Sequence, residues 1–334
     1  MGPIVTLVES PPSEPAPDQP RALKPVPGRA DRLYRRIAAG AGVITFALMG
    51  MIAAFLWIEG SPAFRRMGLS FFTTQVWRPD AEKPQFGVAA LLYGTVVIAL
   101  IAVILAVPVS MATALYITEY APRSLRRPLT ALVDLLAAVP SLIFGIWGLL
   151  YLTPKMFGLG RWLDAWVGRI LFPFDAKTDT YRGSLFIAGV VVAVMVTPII
   201  TSVCREVFSQ APRVECEGAL ALGGTRWGMI RAVVLPFGRG GVVGGSMLGL
   251  GRAMGETIAV ALVLSSTTEI KTRILDQGGA SVASHIALTF PEAGQLGVRA
   301  LMAAGLTLFG LTLVVNTAAS FIVARSRSGA GVEI

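Results

Sequence analysis

Arg252 and Glu256 stand four residues apart in the stretch Gly251-Arg252-Ala253-Met254-Gly255-Glu256-Thr257, inside an apolar run from about 240 to 267. On a single helix that spacing sets both side chains on one face. A charge near the centre of a bilayer costs roughly 2.5–3.5 kcal/mol even on the lenient insertion scale, and pairing offsets only part of it. A structural ion pair is one reading, although well-packed apolar residues of the same volume often serve stability as well. Ionisable groups in a span that face a bundle interior or a wet cavity mark substrate paths. The guanidinium offers a fork of N–H donors matched to a tetrahedral oxyanion and stays ionised when partly buried. Glu256 can hold Arg252 in place when no anion is bound, with the hydroxyl of Thr257 beside it. The chemistry expected is reversible anion binding.

Templates for covalent chemistry are absent. The sequence has no GxxxxGK[ST], HExxH or GxSxG pattern, so neither a phosphate-cradling loop nor a metalloprotease or hydrolase centre is expected. One His and two Cys cannot build the usual zinc or haem sites. No metal or cofactor is therefore expected in the chain itself. His285, without a second imidazole to share a metal, is expected as an exposed polar residue in an outer connection.

The elements that must position the pair are membrane spans. Of 334 residues, 54% are hydrophobic and only 15% charged, against roughly a quarter charged in soluble domains. Six apolar stretches lie at about 37–58, 88–118, 129–152, 183–204, 240–267 and 298–323. A helix of about 22 residues covers roughly 33 Å, enough for a hydrocarbon core of about 30 Å. Backbone in lipid must satisfy its own hydrogen bonds, so these runs are helices and the class is an all-α integral membrane protein. Pro108 in the second run predicts tilt or a kink. Residues 1–30 read as a disordered Pro-rich tail, 31–325 as the membrane domain, and 326–334 as a second short tail. In 154–174, Trp162, Trp166 and Ile170 recur every four residues, an amphipathic helix able to lie on the membrane surface or to pack on the span ends. The net charge of +9 is spread over short clusters between apolar runs, which suits membrane orientation and not nucleic acid.

Six spans put both termini on one side, and Arg32, Arg35 and Arg36 before the first span favour the cytoplasm. Between the fourth and fifth runs, Pro212 predicts the start of a short helix and Gly223-Gly224 its end. Thr225 then caps a second helix, which Pro236 is expected to stop before the fifth span. Glu217, Gly218, Ala219, Gly223 and Gly224, followed by Val233, Leu235 and Pro236, resemble the EAA loop of ABC importer permeases. The resemblance implies a type I ABC importer permease architecture, a cytoplasmic loop at about 205–238, and docking of an ATPase subunit on its helices.

Gly241, Gly245 and Gly249, with Gly251 and Gly255 on another face, fall at the four-residue spacing that lets helices approach closely in lipid. A helix of the same chain or of a partner subunit would satisfy them equally. Gly251 to Val260, Asp134 to Ser141, and Phe144 to Leu149 are similar to segments of the Pst-type phosphate ABC permeases of the PstC kind. That resemblance covers about residues 35–325. It implies a phosphate importer in a bacterial plasma (inner) membrane. Its partners would be a PstA-like permease, a PstB-like ATPase dimer that binds ATP and Mg, and a PstS-like extracytoplasmic binding protein. Arg252, Glu256 and Thr257 would line the path for inorganic phosphate. Glu256 could accept the proton of hydrogen phosphate, which sulfate lacks near neutral pH. Asp134, about six residues into the third run, is the weaker pathway candidate, because interface solvation or a helix dipole explains it too. Importers of sulfate or molybdate, and an ion-coupled secondary transporter, are the alternatives.

Overall fold

A computed structural model describes residues 28–166, 168 and 181–326. Residues 1–27 of the Pro-rich tail, the C-terminal residues from 327, and Val167 and Ile170 of the predicted amphipathic segment lie outside them, and the last residues assigned to the tail, Arg29 and Ala30, open α1. Twelve α-helices are described: α1 Arg29–Met67, α2 Ala89–Leu115, α3 Arg123–Ala137, α4 Ser141–Trp147, α5 Thr153–Trp166 and α6 Leu185–Ser209, followed by α7 Arg213–Ala221, α8 Arg226–Met229, α9 Leu235–Met254, α10 Ile258–Val263, α11 Val282–Thr289 and α12 Gln295–Ser326. Among the described residues six spans are long and apolar enough to cross a membrane: Ala30–Phe72, Ala89–Tyr120, Ser141–Trp166, Leu185–Ser209, Arg226–Met254 and Gln295–Phe321.

The chain divides into two compact units, Met1–Met51 and Ile52–Ile334. The described part of the first is helical, with Thr45 donating to the carbonyl of Ala41. In the second, α2, α6 and α9 form the centre and α12 packs on α9. Ile98, Ala102, Val192, Val196 and Ile200 fill the core between α2 and α6. Across that seam the Ser110 hydroxyl donates to the Thr197 carbonyl at 2.9 Å.

The third span differs from its expected bounds. Residues 123–137 form a separate amphipathic helix, the chain leaves helical geometry before Pro140, and the span begins at Ser141. Proline disfavours helix in the residue before it, which accounts for the break. The span then runs through Trp162 to Trp166, so the described part of the amphipathic stretch continues it. Gly160 packs there against the Tyr181 ring. Three π turns widen the spans, closed by Ala121 N–H on Tyr116, Thr153 N–H on Gly148 and Leu235 N–H on Ile230. The last makes room for Pro236, which sits in the first turn of α9 and does not stop the helix.

Between α10 and α11, residues 264–281 fold back over the ends of α2 and α6. Ser265 and Gly278 both donate to the Gly183 carbonyl, and the Val282 amide donates to Thr95 Oγ1 at 3.0 Å. A small hairpin, β1 Trp77–Arg78 with β2 Gln85–Phe86, carries Asp80, whose carboxylate accepts from Gly294 and Gly297 at the start of α12, both at 3.0 Å.

His285 corrects the expectation of an exposed residue. It lies on α11, is 4% exposed, and meets the Trp77 ring edge-on at 4.8 Å. Neither ring nitrogen has a hydrogen-bond partner among the described residues. Burial lowers its pKa from 6.5 to about 4, so the folded protein holds the neutral form. As pH falls below 6.5 the unfolded chain takes up the proton first, and stability drains away down to about pH 4. The full loss is about 3 kcal/mol. A His285→Phe variant should show a flatter fall of melting temperature between pH 6.5 and 4 than the parent; parallel curves would mean that His285 does not titrate in that window.

Candidate functional site

Arg252 and Glu256 do not share a helix face. α9 ends at Met254, and Gly255, Glu256 and Thr257 form a turn before α10 begins, the Glu256 amide donating to the Ala253 carbonyl at 3.3 Å. No ion pair joins the two side chains. Arg252 is exposed in the last turn of α9, where a cation is favoured by the helix dipole. Glu256 is 7% exposed and caps α10, its Oε1 accepting from the Ala259 amide at 3.2 Å. Thr257 is half-buried and donates to the Gly255 carbonyl at 3.1 Å. The expected ion pair fails because the helix that would have aligned it is interrupted.

The turn that follows the fifth span, between α9 and α10, lies beside the start of the third span. α4 packs on α10, and a Cβ on Gly145 would lie 2.9 Å from both Ala259 Cα and Leu262 Cδ1. Non-helical backbone at membrane depth is tolerated where protein buries it or where it lines a watery cavity, and discontinuous helices are where transporters place their ligand sites. The signals for these breaks were Pro140 and the small, turn-favouring Gly255. Asn316 on α12 also approaches this region, its Oδ1 3.4 Å from where a Cβ on Gly251 would stand. One amide among the threonines of the sixth run carried no sequence signal that pointed here.

Asp134 lies on α3, ahead of the third span. Its carboxylate accepts from Ser202 at 3.0 Å and pairs with Arg205 at 3.5 Å, tying α3 to the end of α6. That places it in a contact between helices.

Gly241, Gly245 and Gly249 of α9 face α6. A Cβ on Gly241 would come within 2.3 Å of Val207, on Gly245 within 3.2 Å of Val203, and on Gly249 within 2.6 Å of Ile200. Their close approach is satisfied within this chain. Gly255 has only its own helix carbonyls nearby, and Gly251 only Asn316.

The hairpin between the fourth and fifth spans is built from local chemistry. α7 starts after Pro212 and closes with the Gly224 amide on the Ala219 carbonyl at 3.2 Å. Gly223 takes φ +81, a backbone state that residues with a Cβ resist. Thr225 Oγ1 accepts from Gly228 at 3.1 Å and caps α8. Cys216 and Ala219 rest on the core, whereas Glu217 and Gly218 face outward. Val214 and Leu222 are 83% and 92% exposed, an apolar surface with no cover among the described residues. Leu235 is part of the π-turn closure, and Arg226 lies 5.8 Å over the Tyr120 ring, bracing the hairpin against the turn after α2. Burial first, then Glu119, Glu215 and Glu217, raise the Cys216 pKa and hold it as a neutral thiol.

Six spans, the fifth followed by a turn and a short helix packed on the start of the third, and a helical hairpin hung between the fourth and fifth define a membrane permease subunit. Residues 106–328 match the family model described as binding-protein-dependent transport system inner membrane component. The phosphate transport system permease protein PstC 2 of Mycobacterium tuberculosis is 44% identical over 304 residues, covering 90% of this chain and 94% of that protein. PstC of Mycobacterium leprae is 42% identical over 322 residues, covering 93% and 99%. A chain of a bacterial alginate ABC transporter, solved in complex with an alginate pentasaccharide-bound periplasmic protein, shares the fold with a TM-score of 0.54 at 18% identity, covering 88% of this chain and 98% of that one. The chain belongs to the binding-protein-dependent transport system inner membrane components, and within them to the PstC permeases.

Proposed function

We propose that this chain forms half of the translocation path of an ATP-driven importer of inorganic phosphate. The observation that carries the reading is 44% identity across nearly the whole length of a PstC phosphate permease. A homologous PstA-like permease completes the path, and a PstS-like binding protein delivers phosphate from outside. A PstB-like ATPase dimer, which binds ATP and Mg, docks on the 211–236 hairpin. The hairpin and both termini then face the cytoplasm of a bacterial cell, with the spans in its plasma (inner) membrane. The exposed Val214 and Leu222 support a docked partner on that side. ATP-driven closure of the ATPase pulls the hairpin and tilts the spans, opening the path outward; hydrolysis returns it inward. Arg252 and Glu256 act on phosphate from either side of the end of α9, with Thr257 between Glu256 and α10. The chain itself makes and breaks no covalent bond.

The test is uptake of labelled phosphate by cells that lack their own phosphate permease and express this chain with its partner subunits. Uptake should survive a proton ionophore, require the ATPase, and resist competition by sulfate or molybdate. Equal competition by sulfate would reassign the substrate, and uptake without the ATPase would make the chain a secondary transporter. In the same assay Glu256→Gln should reduce the preference for phosphate over sulfate about tenfold, the worth of one hydrogen bond to a carboxylate. Unchanged preference would remove Glu256 from the discrimination.

A further inference from the structure

α2, α3 and α6 enclose an apolar groove of about 490 Å³. Leu105 and Val109 line it from α2, Leu129 and Leu132 from α3, and Val190 and Val194 from α6. Its threonines offer a ligand no free donor. Thr113, Thr197 and Thr201 each turn their hydroxyl onto a carbonyl of their own helix, at 2.7–2.8 Å. From Leu105 to Ile117 the groove follows α2 for about 18 Å, roughly one leaflet of the hydrocarbon core. A spanning helix from another subunit would need a groove nearly twice as long. The wall contributed by α3 is held in place by the contacts of Asp134 with Ser202 and Arg205.

One end of the groove is strongly basic. Next to Leu129, the first turn of α3 carries Arg123, Arg126 and Arg127, all exposed. Arg126 is fixed there, its Nε donating to the Ala121 carbonyl at 3.0 Å. Tyr116 lines the groove at that end, and Glu119 is the one carboxylate in the turn before α3. A one-leaflet aliphatic channel with a cationic mouth complements a molecule with a single anionic head and an aliphatic tail. Exposed Leu125 and Leu135 on α3 place the same helix at an acyl–headgroup boundary, as basic amphipathic helices are placed.

We propose that the α2–α3–α6 groove is a binding site for an anionic phospholipid, its acyl chain along α2 and its phosphodiester on the Arg123–Arg127 turn. The site shares no lining residue with Arg252, Glu256 or Thr257 and does not depend on which anion the permease carries. It makes the position of α3, and through Asp134 the end of α6, sensitive to the lipid of the surrounding leaflet.

The test is native mass spectrometry of the intact permease complex, delipidated and then offered phosphatidylglycerol and phosphatidylcholine with matched acyl chains. Each copy of this chain should retain one phosphatidylglycerol, preferred over phosphatidylcholine by about tenfold or more. Combined Arg123→Gln, Arg126→Gln and Arg127→Gln should bring that preference near unity. Val194→Trp, which fills the groove without removing charge, should lower retention of both lipids and keep the preference among what remains; it carries the test alone should the triple variant fail to assemble. Millimolar inorganic phosphate should displace neither lipid. Equal retention of the two lipids by the parent, displacement by phosphate, or retention unchanged in Val194→Trp would overturn the proposal. So would a cross-link from a cysteine placed at Leu132 to a helix of the partner permease.

Discussion

Arg252→Gln should cut phosphate uptake by about 10–100-fold while the permease still assembles with its partners. The range follows from losing charge-assisted hydrogen bonds of about 1.5–3 kcal/mol to a bound anion. A rival account gives Arg252 only a role at the end of α9, where a cation in the last turn is worth about 0.3–1 kcal/mol. That effect would leave uptake nearly intact and shift the melting temperature by little. The geometry favours the anion. Arg252 is exposed and unpaired with Glu256, so its charge is not being neutralised by the carboxylate four residues on. In a membrane span such a charge has to meet water or a ligand. Arg252→Lys separates charge from shape: it keeps a cation but loses the planar fork, and should recover uptake only in part. Parental uptake by Arg252→Gln in an assembled complex would remove Arg252 from the path.

How far the sequence could be read depended on whether a feature rests on local or distant chemistry. In the hairpin, Pro212, Gly223-Gly224 and Thr225 act within four residues of themselves, and the helices begin and end where those residues require. Pro236 is ambiguous in sequence because the same residue that stops a helix in its interior fits the first turn of the next one. The breaks at Pro140 and Gly255 were hidden inside continuous apolar runs, since hydropathy reports what lipid accepts and says nothing of hydrogen-bond continuity. Asp134 was placed inside a span for the same reason: the leucines of α3 merge with those of α4. The burial of His285 depends on Trp77, more than two hundred residues earlier, and no local pattern carries that contact. The spacing of Gly241, Gly245 and Gly249 announced a close helix neighbour, while only the fold identifies it as α6.

Gly94→Ala should abolish stable assembly, against what helix propensity alone predicts. Gly94 lies inside α2, where replacing glycine by alanine ordinarily gains about 1 kcal/mol. Here the added Cβ would stand 2.1 Å from the carbonyl oxygen of Ala280 and 3.0 Å from its carbon. Both are backbone atoms, so no side-chain rotation relieves the clash. Ala280 cannot retreat easily. Gly279 before it donates to Thr267 Oγ1 at 2.8 Å, Ser281 after it caps α11, and Val282 donates to Thr95 one residue along from the glycine. Relief would pull the 264–281 segment away from Gly183 and α6, releasing several backbone hydrogen bonds at about 1 kcal/mol each in addition to the overpacking penalty of about 1–3 kcal/mol. The sum exceeds the propensity gain several-fold. Gly244→Ala is the matched control: it is also inside a helix, α9, and nothing lies within 4 Å of its added Cβ, so it should be neutral or slightly stabilising. Yield and melting temperature of the full-length protein in detergent would compare the two, and a Gly94→Ala protein that melts at or above the parent would show that the 264–281 segment yields at Ala280 with little loss.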